Sequence, residues 1–464
     1  MCCSLYAARR DASAREVWKG WCGFIFDDGA CFYDCAWCLS IVCGGLNLTQ
    51  LAVDGHSLGE HWLLRPDVDF LNHGSFGASP KCVLEAQRGW SERLEREPIE
   101  FLAPERTLLP KLDEVRDVVA TQMQASSRDL VFVRNATEGV NAVIRSLPLQ
   151  EGDEVLITNH GYNACNNAVR HAAEVAGADV VVADIPFPIR GSDEILDAIA
   201  AALSPKTRWV LVDHVTSPTG IVMPVAEIVR LARSRGVRVM VDGAHGPGML
   251  SVDLSSLGAD YYTANHHKWW CGPKVSGFLF AREEWQSDIQ PTVISHGANT
   301  EGLGDTSFHA NFNWPGTFDP SPLLALPTAI KFLSGLFAGG SDVGPGINTE
   351  GMRALMQRNH RLVVAGRSRL LDRLEVDAPV PESMLGSLAT IPVPGWSGLT
   401  DERLREIAER LRGEHRFEFP VLRVGNQGCL RISAQAYNSI EQYERLADVL
   451  ATDQALVARR GSQS

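Results

Sequence analysis

The feature that most narrows what this chain can fold into is a repeated unit: a short apolar run, a polar turn, then an amphipathic helix. The runs are "DLVFV" (129–133), "DEVLIT" (153–158), "ADVVVADI" (178–185), "RWVLVDHV" (208–215), "VRVMVD" (237–242), "ADYYTA" (259–264) and "SGFLFA" (276–281). Helical stretches such as "EGVNAVIRSL" and "VAEIVRLARSRG" separate several of them. Unbroken Val, Ile and Leu suits strands covered on both faces, and strand–helix alternation builds a mostly parallel sheet between helices. The expectation is an α/β fold around a mostly parallel seven-stranded sheet. In such sheets ligands bind beyond the carboxyl ends of the strands. The polar residues directly after the runs are therefore the candidate site.

What flanks this block differs from it. Residues 80–125 read as helices with charges on one face. Beyond residue 320 a helix rich in small apolar residues, a Gly-rich turn, a long helix (351–374) and a strand–helix–strand–helix set suggest a smaller α+β domain. The expected division is an atypical Cys-rich extension at 1–55 outside the fold, an N-terminal segment at 56–105 joining the small domain, a large domain at 106–320 and a small domain at 321–464. Of the 11 cysteines, Cys2, Cys3, Cys22, Cys31, Cys35, Cys38 and Cys43 crowd into the extension. A metal knuckle on Cys31, Cys35, Cys38 and Cys43 is disfavoured, because only Cys35 and Cys38 have the C-x2-C spacing. The later cysteines are scattered, which points to a reduced, cytoplasmic body. A net charge of −13 argues against nucleic acid as a partner, and no apolar run is long enough for a membrane span.

Neither a dinucleotide fingerprint nor a P-loop follows any strand. After the first run come Asn135, Ala136, Thr137 and Glu138, opening a helix whose N-terminus suits a phosphate, with Thr137 a good N-cap. After the next come His160 and Tyr162; "TSPTG" (Thr216, Ser217) follows the fourth, Asp242 ends the fifth, and His267-Lys268 follow the sixth. A helix cap, an aromatic, a strand-end carboxylate and a lysine, in that order, are the parts that pyridoxal 5'-phosphate needs for its phosphate, ring face, ring nitrogen and aldehyde.

At "FLNHGSFG", "NATEGVNAV", "DHVTSPTG", "VDGAHGPG", "HHKWWCGP", "WPGTFDPSP" and "LRISAQAYN" the chain resembles the class V aminotransferase superfamily, the fold-type I pyridoxal-phosphate enzymes. It is closest to their isopenicillin N epimerase-like branch, over about residues 58 to 450. The resemblance implies a homodimer with shared active sites, binding pyridoxal 5'-phosphate and a small amino-acid-like substrate. It assigns Lys268 to the cofactor aldehyde and the Cα proton, Asp242 to the ring nitrogen and His245 to the ring's O3′ side. The phosphate falls to Thr137 with backbone N–H groups near Ala136 and Glu138, to His267 and Asn265, and to Thr317 from the partner. Tyr162 stacks on the ring, with His160 the runner-up, and Ser217 or Thr216 bonds near O3′. Arg431 takes the substrate carboxylate, and Asn72 and His73 line the substrate side. His266 and the Trp269-Trp270 pair depart from the family's habit. A packed core histidine is the simplest reading of His266, ahead of a zinc site built from His245, His266 and His267.

Such an enzyme acts at Cα, by epimerisation, transamination or loss of a side-chain substituent. An epimerase-like reaction is the favoured expectation, with aminotransferase and C–S lyase chemistry as rivals and a non-catalytic cofactor-binding protein as the alternative from another class. Desulfurases of this group use a cysteine on a mobile loop, whereas Cys429 reads as a core strand residue. The second acid–base group that epimerisation calls for is Tyr162 or His73.

Overall fold

Burial on both faces makes the apolar runs strands, and all of them join one sheet in the computed structural model, which describes residues 56–337, 347–453 and 455–456. After a short strand β1 (Asp69–Phe70) and a turn of helix α1 (His73–Phe76) come β2 (Leu130–Val133), α2 (Ala136–Ile144), β3 (Glu154–Thr158) and α3 (Asn163–Ala176). There follow β4 (Asp179–Ala183), β5 (Thr207–Asp213), β6 (Arg238–Asp242), β7 (Tyr261–Asn265) and β8 (Gly277–Ala281). The seven-stranded order is β2-β8-β7-β6-β5-β3-β4. Only β8 runs antiparallel to its neighbours; the other pairs are parallel. Central β7 and β8 are buried throughout, while edge strand β4 exposes Asp179 and Val182.

Because β2 runs the same way as β5, β6 and β7, the starts of α2 and the ends of those strands share one edge. Asp213 and Asp242 are register partners at that edge. The close seat of α2 on β7 depends on Gly139, where a Cβ would lie 2.1 Å from Thr263 Oγ1.

The remaining strands form two smaller sheets. Long helix α4 (Thr349–Leu374) precedes β9 (Leu388–Pro392), β10 (Phe417–Glu418), β11 (Val421–Val424) and β12 (Gln427–Ser433). The antiparallel order is β11-β12-β9, and β10 pairs in parallel with β1. The strands expected around "SLATIP" and "GCLRIS" are β9 and β12; β1, β10 and β11 are additions. The β1–β10 pair ties the segment that opens the described chain to the stretch just before β11. The expected extension at 1–55, with its cysteines, lies outside the described residues.

Candidate active site

Lys268 stands in the turn after β7, with Trp269 and Trp270 both buried beside it. Its Nζ lies 3.0 Å from His245 Nε2, and Trp269 Nε1 donates to His245 Nδ1 at 3.2 Å. An indole nitrogen only donates, so His245 Nδ1 is the acceptor and its proton sits on Nε2. Two donors cannot share one bond, so Lys268 accepts from Nε2–H, as only a neutral amine can. Burial pushes the Lys268 amine down to about 8, against the pull of Asp242, so the neutral form that this bond needs is reached far more readily than in an ordinary lysine. Burial holds His245 well below the usual imidazole range.

Asp242 accepts from the Ala244 N–H at 3.0 Å and from the Cys165 thiol at 3.1 Å. Cys165 comes from the first turn of α3, and burial raises its own pKa. Asp213, alongside in β5, is held well above the ordinary carboxylate range by burial and by Asp242. Neither Cys165 nor Asp213 is among the site residues expected from the sequence. The signal available for Asp213 was that it ends β5 as Asp242 ends β6.

The start of α2 departs from expectation. Its N-cap is Asn135, whose side chain accepts from the Glu138 N–H at 3.0 Å; Thr137 lies inside the first turn. Asn265 Oδ1 accepts from the Ala136 N–H at 2.9 Å. Asn135 and Asn265 thus occupy the N–H groups of Ala136 and Glu138 that were expected to cradle a phosphate. Thr137, next in the helix, keeps an N–H without an intrahelical acceptor. His267 Nδ1 is buried with no hydrogen-bond partner, and burial lowers that imidazole to about 4.

Arg431 on β12 is buried and reaches Ser217 O and Oγ and, at 3.0 Å, Ser75 Oγ. Burial lowers its guanidinium to about 10. Thr216 is turned into the wall, bonded to Thr219 at 2.7 Å and to the Ile221 N–H at 2.9 Å, so it is Ser217 that meets Arg431. His160 is buried, held by Thr219 Oγ1 at 2.8 Å and Ile185 O at 3.1 Å, whereas Tyr162 is 44% exposed. Asn72 meets Ser75 and Glu418. His73 does not line an open substrate face: it is fully buried, and both ring nitrogens are engaged. Thr317 is exposed on the rim of a mainly apolar groove of about 880 Å³, with Gly77, Arg134, Glu138 and Lys274. His266 packs between Trp270 and Phe278, and both its ring nitrogens are buried without partners.

This donor set fits pyridoxal 5'-phosphate. A buried lysine of lowered pKa suits an aldehyde, a buried strand-end carboxylate suits a ring nitrogen, and the Thr137 end of α2 with the unpartnered His267 Nδ1 suits a phosphate.

The comparisons with known proteins agree. The aminotransferase class-V family model matches residues 78–446. A probable L-cysteine desulfhydrase of Arabidopsis thaliana is 31% identical over 412 residues, covering 83% of this chain and 82% of the relative. Isopenicillin N epimerase of Streptomyces clavuligerus is 31% identical over 398 residues, covering 84% and 95%. A solved C-DES mutant, with glycine covalently linked to its PLP cofactor, shares the fold at a TM-score of 0.70 and 24% identity, over 83% of this chain and 97% of that one. The chain belongs to the aminotransferase class-V family, whose members are pyridoxal-phosphate-dependent enzymes.

Proposed function

We propose that this enzyme transfers the Cα proton of an amino acid or peptide-like amine bearing a free α-carboxylate, in an epimerase-like reaction. The observation that carries the reading is the buried Lys268 amine, its pKa lowered to about 8, held 3.0 Å from His245 Nε2. When bound, the cofactor supplies the electron sink that makes the Cα proton removable. Lys268 takes that proton from one face and Tyr162, the remaining candidate for the second acid–base group, returns one to the other, while His245 and the wall of Trp269 and Trp270 keep the amine's pKa low and the amine aimed. Asp242 serves the ring nitrogen, Thr137 and His267 the phosphate, and Tyr162 the open ring face. Arg431, pre-oriented by Ser217 and Ser75, receives the carboxylate.

A second reading, loss of a β-substituent as in C–S lyases, draws on one observation. His73, a candidate for the second acid–base group, has both ring nitrogens engaged, and elimination needs a base on one face only. The relatives named L-cysteine desulfhydrase accord with it. A desulfurase-type thiol nucleophile is disfavoured, since Cys429 is buried in β12 opposite Pro392.

The purified protein is expected to show a visible absorption band that Lys268→Ala abolishes; a wild type without one overturns the reading. In D2O, Cα deuteration without keto acid supports epimerisation. Pyruvate with a released sulfur product supports elimination, and keto acid with pyridoxamine phosphate points to transamination.

We also propose a homodimer that covers the groove beside Thr317, where Leu63 is 70%, Val275 58% and Val293 42% exposed. Light scattering on the eluted protein is expected to give twice the chain mass, and a monomer contradicts it.

A further inference from the structure

The turn α1 reaches both ends of the proposed chemistry. His73 N–H donates to Ser433 Oγ at 2.7 Å, and its ring lies 5.1 Å from that of Trp269. Its Nε2 is 2.9 Å from the backbone carbonyl of Lys268, and its Nδ1 is 2.7 Å from Tyr437 Oη. A carbonyl only accepts, so the ring proton is on Nε2, and Nδ1 accepts from the tyrosine hydroxyl. Gln435 Nε2, also a donor, lies 3.3 Å from His73 Nε2, and its N–H is better spent on Cys271 Sγ at 3.6 Å. Two residues on, Ser75 Oγ accepts from Arg431. The turn ends at Gly77, with φ +65°, where a Cβ would sit 1.8 Å from the His267 carbonyl oxygen. One helical turn therefore touches the backbone of the lysine and the guanidinium of the arginine, and β12 anchors it.

We propose that His73 is a positioning residue: its Nε2–H fixes the Lys268 carbonyl, so that the Lys268 amine stays on His245 at a set distance from Arg431. The role of that amine rests on the reading given above; the contact itself does not. Without the Nε2–H bond the turn after β7 loses its hold on Trp269 and Lys268, and the amine moves away from His245, the donor that favours its neutral form. The charged and titratable groups around Lys268 are His245, Asp242, Asp213, Cys165 and Arg431, and those around His73 are His267, Lys274, Cys271 and Tyr437. All of them stay in place in the variants below.

The test uses cofactor-free full-length protein. Lys268 is acylated with limiting acetic anhydride across a pH series, and its modified fraction is read by mass spectrometry. Wild type is expected to have a midpoint near pH 8, in line with the lowered amine. His73→Gln, whose amide N–H reaches about as far as Nε2, should match it. His73→Asn, equally polar but shorter, should shift the midpoint up by about one pH unit or more, toward an ordinary lysine. Coincident midpoints in the folded Asn variant and wild type overturn the proposal. Should the variants fail to fold, 15N shifts of the histidine rings in wild type decide: a His73 proton on Nε2 supports the proposal and one on Nδ1 overturns it. The visible band and its loss in Lys268→Ala test the cofactor reading separately, so the two fail independently.

Discussion

At the scale of single residues, the chemistry depends on which atom holds a proton. Trp269→Phe keeps the ring wall but deletes the donor to His245 Nδ1. The loss of this buried bond is expected to cost about 1–2 kcal/mol, visible as a lower Tm, and to raise the Lys268 midpoint. An unchanged Tm together with an unchanged midpoint contradicts the proton assignment. Arg431→Ala is expected to raise KM for an amino-acid substrate by about 100-fold or more, with Arg431→Lys in between, because a lysine cannot reproduce the guanidinium fork. A wild type that turns over the α-amide as well as the free acid contradicts that role. Lys268 and Asp242 were legible in the sequence as candidates because each sits at or just after the end of an apolar run, whereas Arg431 entered only through the resemblance. Cys165, Asp213 and Ser75 were not. They meet their partners through strand register and tertiary packing, which local pattern does not encode. The N-cap of α2 was misplaced by two positions because Asn135 and Thr137 are both good capping residues, and only the backbone shows which one has extended φ and ψ.

At the scale of elements, the start of α2 is held by asparagines from two directions, and Gly139 lets it lie against β7. Gly139→Val is expected to push the helix off Thr263. It should destabilise the fold by about 1–3 kcal/mol and weaken retention of pyridoxal phosphate, read by equilibrium dialysis and denaturant unfolding. Retention equal to wild type contradicts a phosphate site at this helix end. The strands of the large sheet were legible because burial on both faces writes them as unbroken apolar runs. The two-residue strands β1 and β10 have no room for periodicity, and β11 is half-exposed along its length, so no pattern announced them.

For the whole molecule, neutral histidines are a shared liability in acid. Burial lowers His73 and His266 to about 3, and His214 and His267 to about 4, from an unfolded value of 6.5. Their folded pKa values are depressed, so they take up protons on unfolding. The stability they contribute is complete above pH 6.5 and is lost as pH falls toward 3–4. At pH 5 each costs about 2 kcal/mol. Thermal unfolding should therefore move to clearly lower temperature between pH 7 and pH 5; a flat profile over that window contradicts the burial of these imidazoles as neutral groups. No helix among the described residues is long and apolar enough to cross a membrane.

The parallel pairing of Asp69 with Phe417 also bears on how the protein is made. Closing a loop of that length is slow. A ribosome-bound chain that has not yet emitted β10 and β12 can already build most of the large sheet and carry Lys268. It still lacks Ser433 to seat α1, Tyr437 to orient His73 and Arg431 to receive a carboxylate. The contacts that seat His73 and place Arg431 are therefore completed only when the last strands fold back on the first.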